Sequence, residues 1–277
     1  MSGSSPRERF VRIARLPEAE IDLAEAALVI AAEDQPGLDP APWIARLNEL
    51  AARLRPRLEG VRDELDRLGL LSGFLASEVR LQGNDRDYYD PRNSYLNEVL
   101  DRGLGIPITL ALVFIEIGRR VGIPLDVVGF PGHFLLRHSL HPQIVIDPFH
   151  GGRVLTQDDC RELLERLSGG SLEFDPRLLR PAGPRQILAR MLNNLRGIHL
   201  HRGDLERTIA ALDRLLLLDP DDTAALRDRG LLSIRQGDLM RAVEDLERYL
   251  ELDPEAGDHE TLADLVTEAR RQLDQVN

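Results

Sequence analysis

His133 and Asp147 are the two residues whose types and surroundings suit acid–base chemistry. An imidazole oriented by a carboxylate is the usual general base beside a protein nucleophile. We expect a β-hairpin here, in which Arg137 and Gln143 flank a turn made from residues 139–142 and His133 lies directly opposite Asp147. Strand alternation then lets the two side chains share a hydrogen bond on one face. The same alternation assigns Leu135, Arg137 and Val145 to that face, and Phe134, Leu136, Ile144 and Ile146 to the other.

Four short runs around this pair form a pattern: RGLGIPIT at 102–109, VGIP at 121–124, FPGHFLLR at 130–137 and IVIDPF at 144–149. They resemble the transglutaminase-like core, and most closely its SirB-type bacterial branch, which joins such a core to C-terminal tetratricopeptide repeats. The resemblance implies an α+β fold. It consists of a helix-rich, degenerate transglutaminase-like (papain-like) core with a small antiparallel sheet, followed by an all-α tetratricopeptide helical-repeat domain.

The resemblance also indicates where a nucleophile belongs. In the superfamily, the nucleophilic cysteine opens a helix that runs into a Gly-Ile-Pro turn, and counting back one helix from Gly122 reaches Pro107. A thiolate at a helix start is stabilised by the unpaired amides and the helix dipole. Proline has no ionisable group and suits the first helical turn for another reason, because the amide it lacks would be unpaired there. The SirB-type pattern carries the same Ile-Pro-Ile-Thr run, so the loss of the thiol belongs to the branch resembled.

Other nucleophile candidates are few. Thr109 and Ser94 carry hydroxyls near the same helix, although serine and threonine at helix starts usually bond the local backbone. The only cysteine, Cys160, follows the His and Asp in the chain and lies in a segment typical of a capped helix start. We expect Cys160 to be a structural thiol, because free cysteine mostly behaves as a small apolar residue.

An aromatic and polar run, YYDPRNS at 88–94, precedes the helix in a chain with only 4% aromatic residues. The SirB-type pattern has a very similar run, which implies that these side chains line the same cleft as His133. The alternative is an Asp-Pro turn followed by a helix cap at Asn93 or Ser94. The predicted cleft-lining residues are Tyr89, Arg92, Asn93, Pro107 and Arg137.

We predict three segments: a transglutaminase-like domain with N-terminal helices at 1–175, a proline-rich linker at 176–186, and tetratricopeptide repeats with a capping helix at 187–277. Landmarks at 189–222 return at 223–256, with the period of about 34 residues that tetratricopeptide repeats have. Such repeats bind peptides in a groove, so a protein or peptide partner is expected there. The predicted groove residues are Arg190, Asn193 and Arg227, and the alternative is that they are ordinary solvated side chains.

Composition and charge argue against several classes of function. The net charge of -12 argues against nucleic-acid binding, and no apolar run is long enough to predict a membrane span or a signal core. A cytoplasmic location is therefore expected. No cofactor is predicted, and no metal site either, because alternation separates His133 from His138 and no zinc-type spacing is present.

Two functional hypotheses follow. The first is a non-catalytic protein that acts as a protein-binding or regulatory module, in which His133 and Asp147 are a relic or hold a ligand. The second is a hydrolase or acyltransferase of the cysteine-peptidase or transglutaminase class, with a replaced nucleophile and His133 as general base. The missing thiol favours the first hypothesis, and the retained pair keeps the second open.

Overall fold

The computed structural model describes residues 4–276, and the chain folds into two compact units, Met1–Met191 and Leu192–Asn277. The boundary falls inside one long helix, Pro184–His201. The predicted linker at 176–186 contains a 3-10 helix, Pro176–Leu179, and the first residues of that long helix.

Eight α-helices begin in the described part of the first unit. Several of their N-termini are capped by short polar side chains, as at Ser5 and Asp63, which each accept a backbone N–H of the first turn. The helices are α1 Pro6–Arg15, α2 Leu23–Asp34, α3 Ala41–Leu58, α4 Glu64–Ser77, α5 Leu96–Arg102, α6 Pro107–Val121, α7 Gln157–Ser168 and α8 Pro184–His201.

Helix α6 is the centre of the first unit. Its sequence is apolar almost throughout, and its residues from Pro107 to Phe114 are all buried. It packs against α3, α4 and α5, which explains why a helix with so few polar residues is stable in this position. The helix ends at Gly122, whose φ of 76° lies in the left-handed region that favours glycine.

A four-stranded antiparallel sheet follows α6 in the chain. The pairs Leu136↔Ile146 and Arg137↔Val145 show that the predicted hairpin register is wrong by two positions. The cause is a longer connection, since Ile144 still belongs to the turn and donates its N–H to the carbonyl of His141. A shift by an even number keeps every side chain on its predicted face. The strands of this sheet are β3 Leu125–Val128, β4 Leu135–His138, β5 Val145–Asp147 and β6 Arg153–Leu155. Two other strands, β1 Gln82–Gly83 and β2 Leu104–Gly105, form a separate parallel pair.

One face of the sheet is covered by α7. Leu135 and Val145, which alternation placed on the same face as Asp147, belong to an apolar cluster with Cys160, Leu163 and Leu164 of that helix. Asp147 therefore lies at the margin of this cluster.

The second unit consists of paired helices. After the C-terminal part of α8 come α9 Leu205–Leu218, α10 Thr223–Gln236, α11 Leu239–Leu252 and α12 His259–Val276. Helix α10 packs against α9 and α11, and α11 packs against α12. Asp204, Asp222 and Asp238 cap the starts of α9, α10 and α11. None of the helices in residues 4–276 is long and apolar enough to cross a membrane.

Close approach of α10 and α11 depends on a glycine. A Cβ added at Gly230 would lie 2.7 Å from Cγ of Leu246, which is closer than carbon atoms tolerate. By contrast, a Cβ at Gly197 on α8 would meet no atom within 4 Å.

We predict that Gly230→Ala destabilises the second unit by about 1–3 kcal/mol through overpacking. The matched change Gly197→Ala should stabilise it by about 0.5–1 kcal/mol, because alanine loses less backbone entropy in a helix. Hydrogen exchange of the α10 and α11 amides measures this unit separately from the first. Equal stabilisation by both changes would contradict the close packing of the two helices.

Candidate functional site

A tight turn sets the position of His133. The N–H of His133 donates to the carbonyl of Phe130 at 3.0 Å, and Gly132 between them has a φ of 70°, which a side chain would disfavour. His133 therefore lies just before β4 and not inside the predicted hairpin, and β4 begins at Leu135.

A second turn sets Asp147 at the end of β5. Its Oδ1 accepts the backbone N–H of Phe149 at 3.0 Å and that of His150 at 3.3 Å. This is the local bonding that makes Asp-Pro a turn-forming pair, and here it holds the carboxylate in one orientation.

The two turns bring His133 and Asp147 together. Nε2 of His133 lies 2.9 Å from Oδ1 of Asp147, and only 7% and 3% of the two residues are exposed. The His133 ring also meets the Phe149 ring edge to face, with centroids 5.9 Å apart. None of the residues 4–276 hydrogen-bonds to Nδ1 of His133, so the imidazole keeps the nitrogen that a general base would use.

His150 is a third member of the site that the sequence analysis missed. Its Nδ1 lies 2.7 Å from Oδ2 of Asp147, and 59% of its side chain is exposed. Strand alternation gave no reason to place it there, because β5 ends at Asp147 and the chain then turns. The signal was the Asp-Pro turn itself, which brings a residue three positions later back to the aspartate.

The carboxyl group of Asp147 is ionised more readily than usual. Its burial opposes ionisation, but the hydrogen bonds and the electrostatic attraction that His133 and His150 provide outweigh that effect and hold its pKa below the ordinary value.

The start of α6, where a nucleophile belongs in the superfamily, is closed by capping interactions. Pro107 is the first helical residue and is buried. Thr109 is 0% exposed, and its Oγ1 accepts the N–H of Ile106 at 3.1 Å and donates to the carbonyl of Asn93 at 2.7 Å. The hydroxyl of Thr109 is thus fully occupied as a helix cap.

The other two nucleophile candidates, Ser94 and Cys160, are also buried. Ser94 is 1% exposed, and its hydroxyl makes no hydrogen bond with the residues that the structure describes. Cys160 lies in the apolar cluster with α7, and burial, together with the charges of Asp159 and Asp147, raises the pKa of its thiol to about 11. A thiol with that pKa is protonated at neutral pH and a poor nucleophile.

The run at 88–94 contains both exposed and buried side chains. Tyr89 is 68% exposed and packs edge to face against Tyr88. Asn93 is 0% exposed, and its amide donates to the carbonyl of Asp87 at 2.7 Å and accepts from Asn84 at 3.0 Å. Arg92 forms an ion pair with Asp90 at 2.8 Å.

Two arginines contact the sheet and its loops. Arg137 bonds to Asp126 of β3 at 3.3 Å and to the carbonyl of Leu179 at 3.3 Å. Arg190 lies in the first unit, with its guanidinium carbon 5.4 Å from the centroid of the Phe134 ring. It borders a cavity of about 450 Å³ formed by the His133 turn and α8, lined by Gly129, Phe130, Pro131, Gly132, Phe134, Ala182, Gln186, Ala189 and Arg190.

The other two predicted groove residues lie in the second unit. Asn193 is half-buried on α8. Nε of Arg227 donates to Asp258 at 2.5 Å, which raises the pKa of the guanidinium further. A small cavity of about 160 Å³ lies among α8, α9 and α10, lined by Arg196, Leu200, Thr208, Leu212, Asp228, Leu231, Leu232 and Arg235.

A helix-rich core with a small antiparallel sheet and a His–Asp pair, joined to paired helical repeats, is the architecture of a transglutaminase-like domain with tetratricopeptide repeats. Comparisons with known proteins agree. The model of the transglutaminase-like superfamily matches residues 41–193, and that of the tetratricopeptide repeat matches residues 195–267. The α+β fold class predicted from the sequence is therefore confirmed.

Relatives cover most of the chain. A UPF0162 protein of Xylella fastidiosa is 39% identical over 223 residues, which make up 79% of each chain. A UPF0162 protein of Pseudomonas aeruginosa is 39% identical over 199 residues, or 72% of each chain. F-box only protein 21 of Homo sapiens is 30% identical over 171 residues, 57% of this chain and 26% of that protein. The chain belongs to the transglutaminase-like superfamily, in its SirB-type branch of UPF0162 proteins, and the repeats make it a protein-interaction module.

We predict that Asp147→Asn destabilises the first unit by about 1.5–3 kcal/mol at neutral pH, because its four hydrogen-bond donors lose a charged acceptor. Since the folded-state pKa is lowered, the wild-type advantage is complete above the ordinary aspartate pKa of about 3.9 and disappears as the pH falls through the lower folded value. Trp43, the only tryptophan, lies in α3 of the first unit, so its fluorescence during urea unfolding measures that unit.

Asp158→Asn provides the control, because the Asp158 side chain is 84% exposed and its surface ion pair with Arg161 contributes little. An Asp147→Asn deficit that stays constant, or grows, below pH 4 would show that the carboxylate charge is not what stabilises the turn.

Proposed function

We propose that this protein is a non-catalytic transglutaminase-like and tetratricopeptide protein that acts as a protein-binding or regulatory module. The observation that carries the proposal is the start of α6, where the superfamily nucleophile belongs. That position holds Pro107, and the neighbouring hydroxyl of Thr109 is buried and bonded as a cap.

Covalent acyl transfer needs a nucleophile within hydrogen-bond distance of its base. Among residues 4–276, neither Thr109, Ser94 nor Cys160 bonds to His133. The remaining His–Asp pair then has a structural or ligand-holding role. In this interpretation the run at 88–94 and Arg137 maintain the walls of the former cleft.

We assign the proposed partner-binding surface to the repeats. Leu200 of α8, which is 46% exposed, and Leu231 of α10 give the small cavity an apolar floor. Arg196, Asp228 and Arg235 surround it with charge. An apolar floor with a charged rim suits a peptide that presents one apolar anchor beside charged residues.

Of the groove residues predicted from the sequence, Asn193 shares a helix face with Arg196 and Leu200, at spacings of three and seven. Arg227 is neutralised by Asp258, and Arg190 packs on Phe134 in the first unit. The proposed groove therefore depends on Asn193 and the cavity residues. The net charge of -12 supports a protein partner over nucleic acid.

We predict that Leu200→Glu lowers the yield of a co-purified partner at least tenfold, because it places a charge in the apolar floor. The matched variant Met240→Glu changes a residue that is 65% exposed on α11 and absent from the cavity lining, and it should retain the partner. Both variants and the wild-type full chain are crosslinked in source cells, purified and quantified by mass spectrometry. Equal recovery with Leu200→Glu would exclude this groove.

One observation favours the alternative, a hydrolase or acyltransferase with His133 as base: the His133–Asp147 pair at 2.9 Å keeps Nδ1 of the imidazole available. We expect that the intact mass of the partner is the same whether it is recovered with the wild type or with His133→Ala/Asp147→Ala. His133→Gln is examined in parallel because it removes the imidazole and leaves the carboxylate of Asp147 in place. A partner that is cleaved or modified only with the wild-type chain would establish the enzyme alternative.

A further inference from the structure

We propose that His133, Asp147 and His150 bind a divalent transition-metal ion of the zinc, cobalt or ferrous type. One ligand atom from each of these residues lies within 4.8 Å of the other two. The sequence analysis expected no metal site because it applied strand alternation to the histidines, and His150 lies beyond the end of the strand, where alternation does not hold.

The spacing of the donor atoms suits an ion after a small adjustment. Metal–ligand lengths of about 2.0–2.2 Å separate neighbouring ligand atoms in a tetrahedral site by about 3.3–3.5 Å. The donor pairs now lie 2.9 Å apart, from His133 to Asp147, and 2.7 Å apart, from His150 to Asp147. The two pairs use different oxygens of Asp147, Oδ1 for His133 and Oδ2 for His150. An ion that replaces the two hydrogen-bond protons needs these pairs to open by about 0.4–0.8 Å. The exposed His150 ring can move by that amount.

The kinds of donor select the class of ion. Two imidazole nitrogens and one carboxylate suit zinc, cobalt or ferrous ions. Magnesium and calcium prefer sets made of oxygen alone, so they fit poorly. Three protein ligands also leave at least one coordination position for water or for a group from a partner.

Neighbouring groups already hold Asp147 and His133 in fixed orientations. Asp147 is fixed by the backbone N–H groups of Phe149 and His150, and the His133 ring rests against the Phe149 ring. Outer contacts of this kind orient metal ligands and increase affinity. His133 and Asp147 are buried, so they lose little freedom when they become ligands.

An acidic cavity leads to the site. It has a volume of about 550 Å³, and both Asp147 and His150 are part of its wall. Besides Asp147, the wall carries three carboxylates and two arginines. One of the arginines, Arg153, is paired with Asp159 at 2.5 Å. Excess negative charge in a concave surface raises the local concentration of cations. The charged side chains of the wall are Asp147, Arg153, Asp159, Glu162, Glu165 and Arg166.

The test is direct binding to the full chain after treatment with a chelator. Co²⁺ is added and followed by its visible absorption, and Zn²⁺ binding is measured by calorimetry. We expect saturation at one ion per chain, and we expect His150→Ala to weaken binding at least tenfold. His150 is exposed, so its replacement leaves the fold intact. Excess Mg²⁺ should not compete.

His141→Ala is the matched control, because His141 is an exposed histidine of the same unit whose ring lies 5.0 Å from that of His138. It should bind both ions like the wild type. The proposal is overturned if the wild type shows no saturable binding, if His150→Ala binds equally well, or if His141→Ala is weakened to the same degree. These readouts do not depend on a partner or on catalysis, so they are separate from the tests of the proposed function.

Discussion

The carboxylate of Asp147 is the interaction on which the site depends. It accepts from the ring of His133, from the ring of His150, and from the backbone N–H groups of Phe149 and His150. The bond to His133 joins the turn before β4 to the turn after β5, and the other three hold the second turn. A buried charge is tolerated only when its bonding capacity is filled, and here the surrounding turns fill it.

The start of α6, where the superfamily carries its nucleophile, is filled here by Pro107 and the buried cap of Thr109. A reactive side chain there needs an unsatisfied helix terminus and room for substrate, because the unpaired amides stabilise the anion. In this chain Pro107 removes one amide, and Thr109 satisfies the N–H of Ile106 and reaches the carbonyl of Asn93. The same bonds tie α6 to the segment at 91–94. The helix start thereby contributes to the stability of the core, and it offers no exposed donor to a reacting group.

Much of this arrangement could be predicted from the sequence, and the failures have physical causes. Motif runs and the repeat period gave the family and the fold class, because both depend on local patterns. The register was wrong because the extent of the 139–144 connection depends on turn hydrogen bonds, such as that from Ile144 to His141, which periodicity does not encode. His150 was missed for a similar reason. Arg190, predicted for the groove, contacts Phe134, since a side chain's partners depend on tertiary packing.

The position of Asp147 between two imidazoles also determines how its charge can be balanced. An ionised carboxylate between two imidazoles is neutralised either by a proton on one ring or by an ion that binds both rings in their neutral form. The proposed metal ion would therefore compete with protons for the space between the same atoms of His133, Asp147 and His150. Among residues 4–276, no side chain hydrogen-bonds to Nδ1 of His133, and Asp147 forms part of the wall of the acidic cavity.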